Sequence, residues 1–161
     1  MLRMSKLTDY GIVVMSHLAT ESGRPHTAAE LALETQVNQP TVSKILKLLT
    51  REGLLDSYRG AKGGYRLARG ADAISMAEII DALEGPIAIT ECSSEQGACD
   101  QEPHCSVSSH WQWINRTIHK ALDDVSLAEM TQATQPRMSI DPHGTLQSFR
   151  GIPVRTTVTA G

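Results

Sequence analysis

Three closely spaced thiols set the chemistry open to this chain. Cys92, Cys99 and Cys105 are its only cysteines, spaced C-x6-C-x5-C within fourteen residues. Gly97 and Pro103 lie between them, so the segment reads as a loop on which the sulfurs can converge. An odd number of thiols cannot close fully into intrachain disulfides. Thiolates are the usual ligands of iron–sulfur clusters, and soft sulfur suits zinc equally well, with three cysteines and one histidine a common structural set. Both a cluster and a zinc ion therefore stand as guests for this loop.

The elements upstream give the thiols their context. Leu7, Gly11, Val14, Met15 and Leu18 recur at helical spacing, widened by Ile12 and Val13, and predict a helix over 5–20. Thr27-Ala-Ala-Glu30 is a capping box that opens a short second helix with Ala28, Leu31 and Ala32 inward. Asn38-Gln39-Pro40 turns into a third, whose Val42, Ile45, Leu46 and Leu49 share one side. Gly53 supplies its stop. Gln39, Thr41, Ser43, Lys44, Lys47 and Arg51 are left for the outside. Two short helices joined by a tight turn, the second basic on its outer side, form a helix–turn–helix. Leu54–Arg59 and Tyr65–Arg69 then read as strands about a Gly-Ala-Lys-Gly-Gly turn. That hairpin is a wing, with Arg59 and Lys62 at its tip.

Charge follows the same division. Over residues 40–70 seven cations face two acids, a balance of +5, whereas residues 71–105 carry eight acids and no Lys or Arg, −8, inside an overall charge of −3. Such segregation marks one surface for a polyanion and repels it from another. At the start of the third helix Gln39, Thr41, Ser43 and Lys44 suit base edges or phosphates of a major groove. Lys47 and Arg51 suit phosphates, and Arg59 and Lys62 the minor groove or its backbone. The predicted partner is double-stranded DNA.

Downstream, Ser75-Met-Ala-Glu78 is a second capping box, and Gly85-Pro86 stops the helix it opens. After the cysteine loop, Trp111, Ile114, Ile118, Leu122 and Val125 predict a long amphipathic helix from 107 to about 127. Its apolar stripe needs a partner, and a second copy of itself would match a palindromic operator. The fold class is thus mainly α with a small β-hairpin. Residues 1–85 form a winged helix–turn–helix domain, 86–106 the cysteine loop, 107–131 a dimerisation helix, and 132–161 an aperiodic tail read as poorly ordered.

Composition narrows the class further. At 40% apolar and 20% charged, the 161 residues fit a globular protein. No apolar run approaches eighteen residues and the N-terminus lacks a signal-peptide pattern, so neither a membrane nor export is expected. Free thiols then point to a reducing cytoplasm. No nucleophile–base constellation suggests an enzyme. Gly60-x-x-Gly63-Gly64 lacks the Lys-Ser/Thr and the strand–helix setting of a phosphate loop. An electron carrier would leave the basic helix and wing unexplained.

Several motifs together resemble a known family. Leu7-Thr8-Asp9-Tyr10-Gly11, Thr41-Val42-Ser43-Lys44-Ile45-Leu46, Arg59-Gly60-x-x-Gly63-Gly64-Tyr65, the three cysteines and Trp111-x-x-Ile114-Asn115 occur in order over about residues 1–131. They resemble the IscR-type winged-helix regulators of bacteria, and the regulators of SUF-type iron–sulfur assembly most of all. The resemblance implies a homodimeric repressor or dual regulator of iron–sulfur assembly genes. It would bind a 2Fe–2S or 4Fe–4S cluster through the three cysteines and one other ligand. In one branch that ligand is a His three residues after the last Cys; here the position is Ser108. In a nitric-oxide-sensing branch it is an Asp in the partner's first helix, and Asp9 stands at the matching position. Asp9 is therefore ranked first as fourth ligand. His110 follows, within reach if the loop folds back, and then His104, crowded against Cys105. The competing readings are a zinc site in place of the cluster, and a nitric-oxide or redox sensor of the same family.

Overall fold

The structure, a computed structural model, describes residues 4–60, 62–93, 99 and 104–132. Six helices and one hairpin make it up: α1 (Lys6–Thr20), α2 (Ala28–Thr35), α3 (Gln39–Arg51), β1 (Leu55–Tyr58), β2 (Gly64–Leu67), α4 (Met76–Glu84), α5 (Ser108–Asp123) and α6 (Leu127–Thr131). Single 3-10 turns lie at Ala71–Ala73 and Glu91–Ser93. The mainly helical class with a small hairpin, a winged helix, is as the sequence predicts.

The helix starts follow from their caps. The Ser5 hydroxyl accepts the Thr8 amide, and Asn38 Oδ1 accepts the Thr41 amide at 3.0 Å. Thr27–Glu30 and Ser75–Glu78 both close as full capping boxes. Each such cap satisfies amides that the first turn leaves unpaired. Between α2 and α3, Gln36 takes the left-handed conformation, and Val37 plugs the turn into the core.

The apolar stripes meet in one core. Val14, Met15 and Leu18 of α1, Leu31 of α2, Val42, Ile45, Leu46 and Leu49 of α3, and Ile79 and Leu83 of α4 are all buried in it. Val13, expected to widen the α1 stripe, is instead exposed. Gly11 allows the close crossing of α1 and α4. A Cβ there would lie 2.3 Å from Leu83 Cδ1, so any larger residue would have to displace a buried leucine. The wing pairs Leu55 with Leu67 and Tyr58 with Gly64 in antiparallel register. His26 adds one bridge beside it, exchanging both backbone hydrogen bonds with Tyr65 at 2.9 and 2.8 Å.

One helix is shorter than its periodicity predicts. The segment expected as a single helix from 107 breaks after Asp123 and resumes at Leu127. Ser126 is the reason: its hydroxyl accepts the Glu129 amide, and Glu129 Oε2 accepts the Ser126 amide at 2.9 Å. That is a third capping box, and it starts a helix of its own. The chain here folds back onto the winged domain. Met76 donates to the Val125 carbonyl and Leu127 to that of Ile74, and Leu127 is fully buried. The tail beyond residue 132 lies outside the described residues.

Thr8 and Glu84 clasp the ends of α1 and α4. Glu84 Oε1 accepts the Thr8 hydroxyl and, at 2.8 Å, the Ser5 amide. The Thr8 hydroxyl, then the Ser5 amide, hold this carboxyl below its ordinary 4.5. A lowered folded-state value means that its stabilisation is complete above about pH 4.5 and is lost as the pH falls through the lowered value. Thermal denaturation across that acid range should therefore show a shallower loss of Tm in Glu84→Gln than in the parent chain. Equal slopes would remove Glu84 from the clasp.

Candidate DNA interface and cysteine site

The four buried residues of α3 fix what its other side presents. With Val42, Ile45, Leu46 and Leu49 turned to the core, Lys44, Lys47 and Arg51 fall opposite and are exposed. Gln39 is exposed at the helix start, while Thr41 and Ser43 are half-buried. Arg51 donates to Glu52 Oε1 at 2.9 Å, so part of its charge is answered within the chain. No acid pairs with Lys44, Lys47, Arg59 or Lys62 among the described residues. Arg59 and Lys62 are exposed in the turn between β1 and β2, which is tightened by a bond from the Gly63 amide to the Gly60 carbonyl. Arg66, absent from the sequence-based set, donates to the Tyr58 hydroxyl at 2.6 Å, with its guanidinium 5.1 Å from the ring centre. A cation stacked on an aromatic ring of the wing is held at a fixed height, which spacing alone does not reveal.

The cysteine segment is anchored at both sides. Cys92 is buried in the Glu91–Ser93 turn, with the Thr90 hydroxyl 3.2 Å from its sulfur and Gln112 of α5 donating to its carbonyl. Cys105 stands three residues before α5, its carbonyl accepting the Ser108 amide. Cys99 and Cys105 are half-buried, and all three thiols are free. Their sulfurs are not gathered within 4.8 Å of one another. As a donor set they suit soft metal chemistry: three free thiols, one of them with a hydroxyl beside its sulfur.

The expected fourth ligands lie at different places. Asp9 is exposed on the first turn of α1. His104 and His110 are exposed on either side of Cys105, the latter in the first turn of α5. Ser108 is the first residue of that helix. No group of three close ligand atoms among the described residues includes any of them.

Asn115 joins this segment to the winged domain. It is buried, its amide nitrogen donates to the Ile87 carbonyl at 2.9 Å, and its oxygen accepts the Ile89 amide at 3.1 Å. Asp81 of α4 accepts the Ile87 amide at 3.0 Å and lies 3.3 Å from His119 Nε2 of α5. The run 87–89 is thus clamped between α4 and α5. In sequence Asn115 is one polar residue in an apolar repeat. Its position inside the stripe is the signal that points to a satisfied buried amide. Farther toward its start, α5 leaves Val107, Trp111 and Trp113 exposed.

A winged helix with a basic recognition helix, followed by a helix that bears a thiol segment, defines a transcriptional regulator that binds DNA. The chain belongs to the Rrf2 family of iron-dependent transcriptional regulators, whose family model matches residues 4–133. Members of that family are regulators, not enzymes. Among solved structures it is similar to CymR, the global cysteine regulator of B. subtilis, at 29% identity and a TM-score of 0.67, covering 84% of this chain and 100% of that one. It is similar to T. potens IscR at 30% identity and a TM-score of 0.62, covering 85% and 96%. The oxidized form of Staphylococcus aureus CymR matches at 25% identity and a TM-score of 0.60, covering 84% and 100%. No helix of the described residues is long and apolar enough to cross a membrane.

The Asn115 clamp carries an expected outcome. Asn115→Ala leaves two backbone groups of half-buried residues without their partner, at a cost of about 1–3 kcal/mol in urea unfolding. It should also speed the reaction of Cys92 with a thiol reagent under native conditions. Unchanged stability and unchanged thiol reactivity would show that the clamp holds nothing.

Proposed function

We propose that this Rrf2-family regulator is an iron–sulfur-sensing repressor of iron–sulfur assembly genes, of the SUF-associated kind, acting in the cytoplasm. The observation that carries the reading is the thiol set: three free cysteines in a segment pinned at Cys92 and at the start of α5. The likeness to T. potens IscR over most of both chains supports it. Cys92, Cys99 and Cys105 would hold the 2Fe–2S or 4Fe–4S cluster, which supplies a group sensitive to oxidants, nitric oxide and iron supply. Asp9 is the fourth ligand in this reading, reaching in from the first helix of a second copy. An oxygen donor holds iron less tightly than thiolate, which suits a group meant to be lost.

The chain acts as a homodimer on a palindromic operator. Trp111, with Trp113 and Val107 exposed at the start of α5, gives the apolar surface that a second α5 would cover. Gln39, Thr41, Ser43 and Lys44 meet the major groove, Lys47 and Arg51 phosphates, and Arg59 and Lys62 the minor groove side. Because Asn115 and Asp81 tie the thiol segment to α4, a change of ligation there bears on the placement of the two winged domains.

Two measurements test this reading. Anaerobically purified protein should be brown and contain iron and sulfide, with Asp9→Ala losing its visible absorbance faster than His110→Ala. Colourless protein with stoichiometric zinc would replace the cluster by a structural metal. At the DNA, Lys47→Ala should weaken binding to all sequences and lower the salt slope by about one. A loss confined to one operator base would contradict a phosphate role.

A further inference from the structure

A second set of metal-type donors lies away from the cysteines. His17 of α1, His26 before α2 and Glu34 of α2 place one ligand atom each within 4.8 Å of one another. His17 Nε2 lies 2.8 Å and His26 Nδ1 3.7 Å from the same oxygen, Glu34 Oε2. The two imidazoles stand edge to face, 5.7 Å between centres at 84°.

His26 makes the group more than a surface ion pair. Its side chain is only 4% exposed. Its Nε2 lies 2.9 Å from the Glu21 carbonyl, and a carbonyl only accepts, so Nε2 carries the proton. In the neutral ring Nδ1 is then a lone pair, buried, without a hydrogen-bond partner, and facing a carboxylate oxygen beyond hydrogen-bond range. A buried lone pair that faces the carboxylate oxygen of a partly exposed glutamate is a place where a positive group would be favoured. A ring that donates one N–H to a backbone carbonyl and presents its other nitrogen is also the usual posture of a metal-binding histidine.

We propose that His17 Nε2, His26 Nδ1 and a Glu34 carboxylate oxygen bind a divalent cation of the zinc class. Two imidazoles and one carboxylate are a known donor set for such an ion, with bonds of about 2.0–2.2 Å and a fourth position left to water. Tetrahedral bonds of that length set neighbouring donors roughly 3.3–3.5 Å apart. The present 2.8 and 3.7 Å lie on either side of that spacing. His17 and Glu34 are partly exposed and give the ion its way in. On binding, the neutral His17 ring takes the tautomer with its single proton on Nδ1, the proton moving there from Nε2 through solvent, so that Nε2 presents a lone pair to the ion.

The site has a structural consequence for the wing. His26 exchanges both backbone hydrogen bonds with Tyr65 of β2, and Gly64 lies so close that a Cβ would come 2.6 Å from the His26 carbonyl oxygen. An ion here therefore joins α1, α2 and the residue on which the wing rests. The proposal uses none of the cysteines and stands apart from the cluster reading.

The test is metal binding by the full-length chain after chelator treatment under reducing conditions. Equilibrium dialysis against zinc should show one more bound equivalent in the parent chain than in His17→Ala or in Glu34→Gln. Both substitutions are at partly exposed positions that leave the core intact. Titration with cobalt(II) should show that the lost equivalent lacks the sulfur-to-metal charge-transfer absorption that marks thiolate ligation. Equal stoichiometry in all three proteins would overturn the site and leave a histidine–glutamate ion pair only. So would an extra equivalent whose spectrum shows thiolate.

Discussion

The side-chain amide of Asn115 is the contact on which the regulatory arrangement depends. It replaces, from one residue of α5, the two backbone partners that the 87–89 run lacks. That run leads directly into the turn holding Cys92, and Asp81 of α4 fastens its other side. With the His119–Asp81 contact and the Gln112 bond to the Cys92 carbonyl, the amide gives the packing of α5 on the winged domain a directional component that its half-buried apolar residues do not supply. A satisfied buried amide specifies one arrangement because any sliding leaves its partners unpaired. Cys92 is thereby tied to the winged domain. The same economy appears at the C-terminal end of α4, where Gly11 lets α1 approach Leu83 and Glu84 gathers Thr8 and Ser5.

The DNA side of the molecule follows from burial. Once Val42, Ile45, Leu46 and Leu49 are committed to the core, Lys44 and Lys47 have only the outer face, and no acid of the described chain answers them. Of the acids of residues 71–105, Asp72 lies in the Ala71–Ala73 turn, and those of α4 are engaged in caps and clasps. Glu78 takes the Ser75 amide and Arg69, Glu84 takes Ser5 and Thr8, and Asp81 takes Ile87. Charge segregation read along the sequence is thus partly a device for facing a polyanion and partly the wiring of α4.

Much of this was legible before the structure. Capping boxes at Thr27 and Ser75, the turn before Pro40 and the stripe of α3 rest on local rules, and each holds. The break before α6 was also written in Ser126-Leu-Ala-Glu129, but an apolar repeat running through it hid the cap. Thr8, Asn115 and the His17–His26–Glu34 group were not legible in the same way. Each pairs residues 8 to 76 positions apart, and sequence spacing carries no sign of such contacts. Arg66 escaped notice because its partner is a ring on the opposite strand.

The central claim is that the state of the cysteine site alters the grip on DNA. Fluorescence anisotropy on a labelled fragment upstream of iron–sulfur assembly genes measures it directly. Anaerobic protein is compared before and after treatment that strips the proposed cluster, at one fixed salt concentration. The two affinities should differ by at least about fivefold, the lower end of ordinary coupling between sites. Identical affinities for the two forms would contradict it.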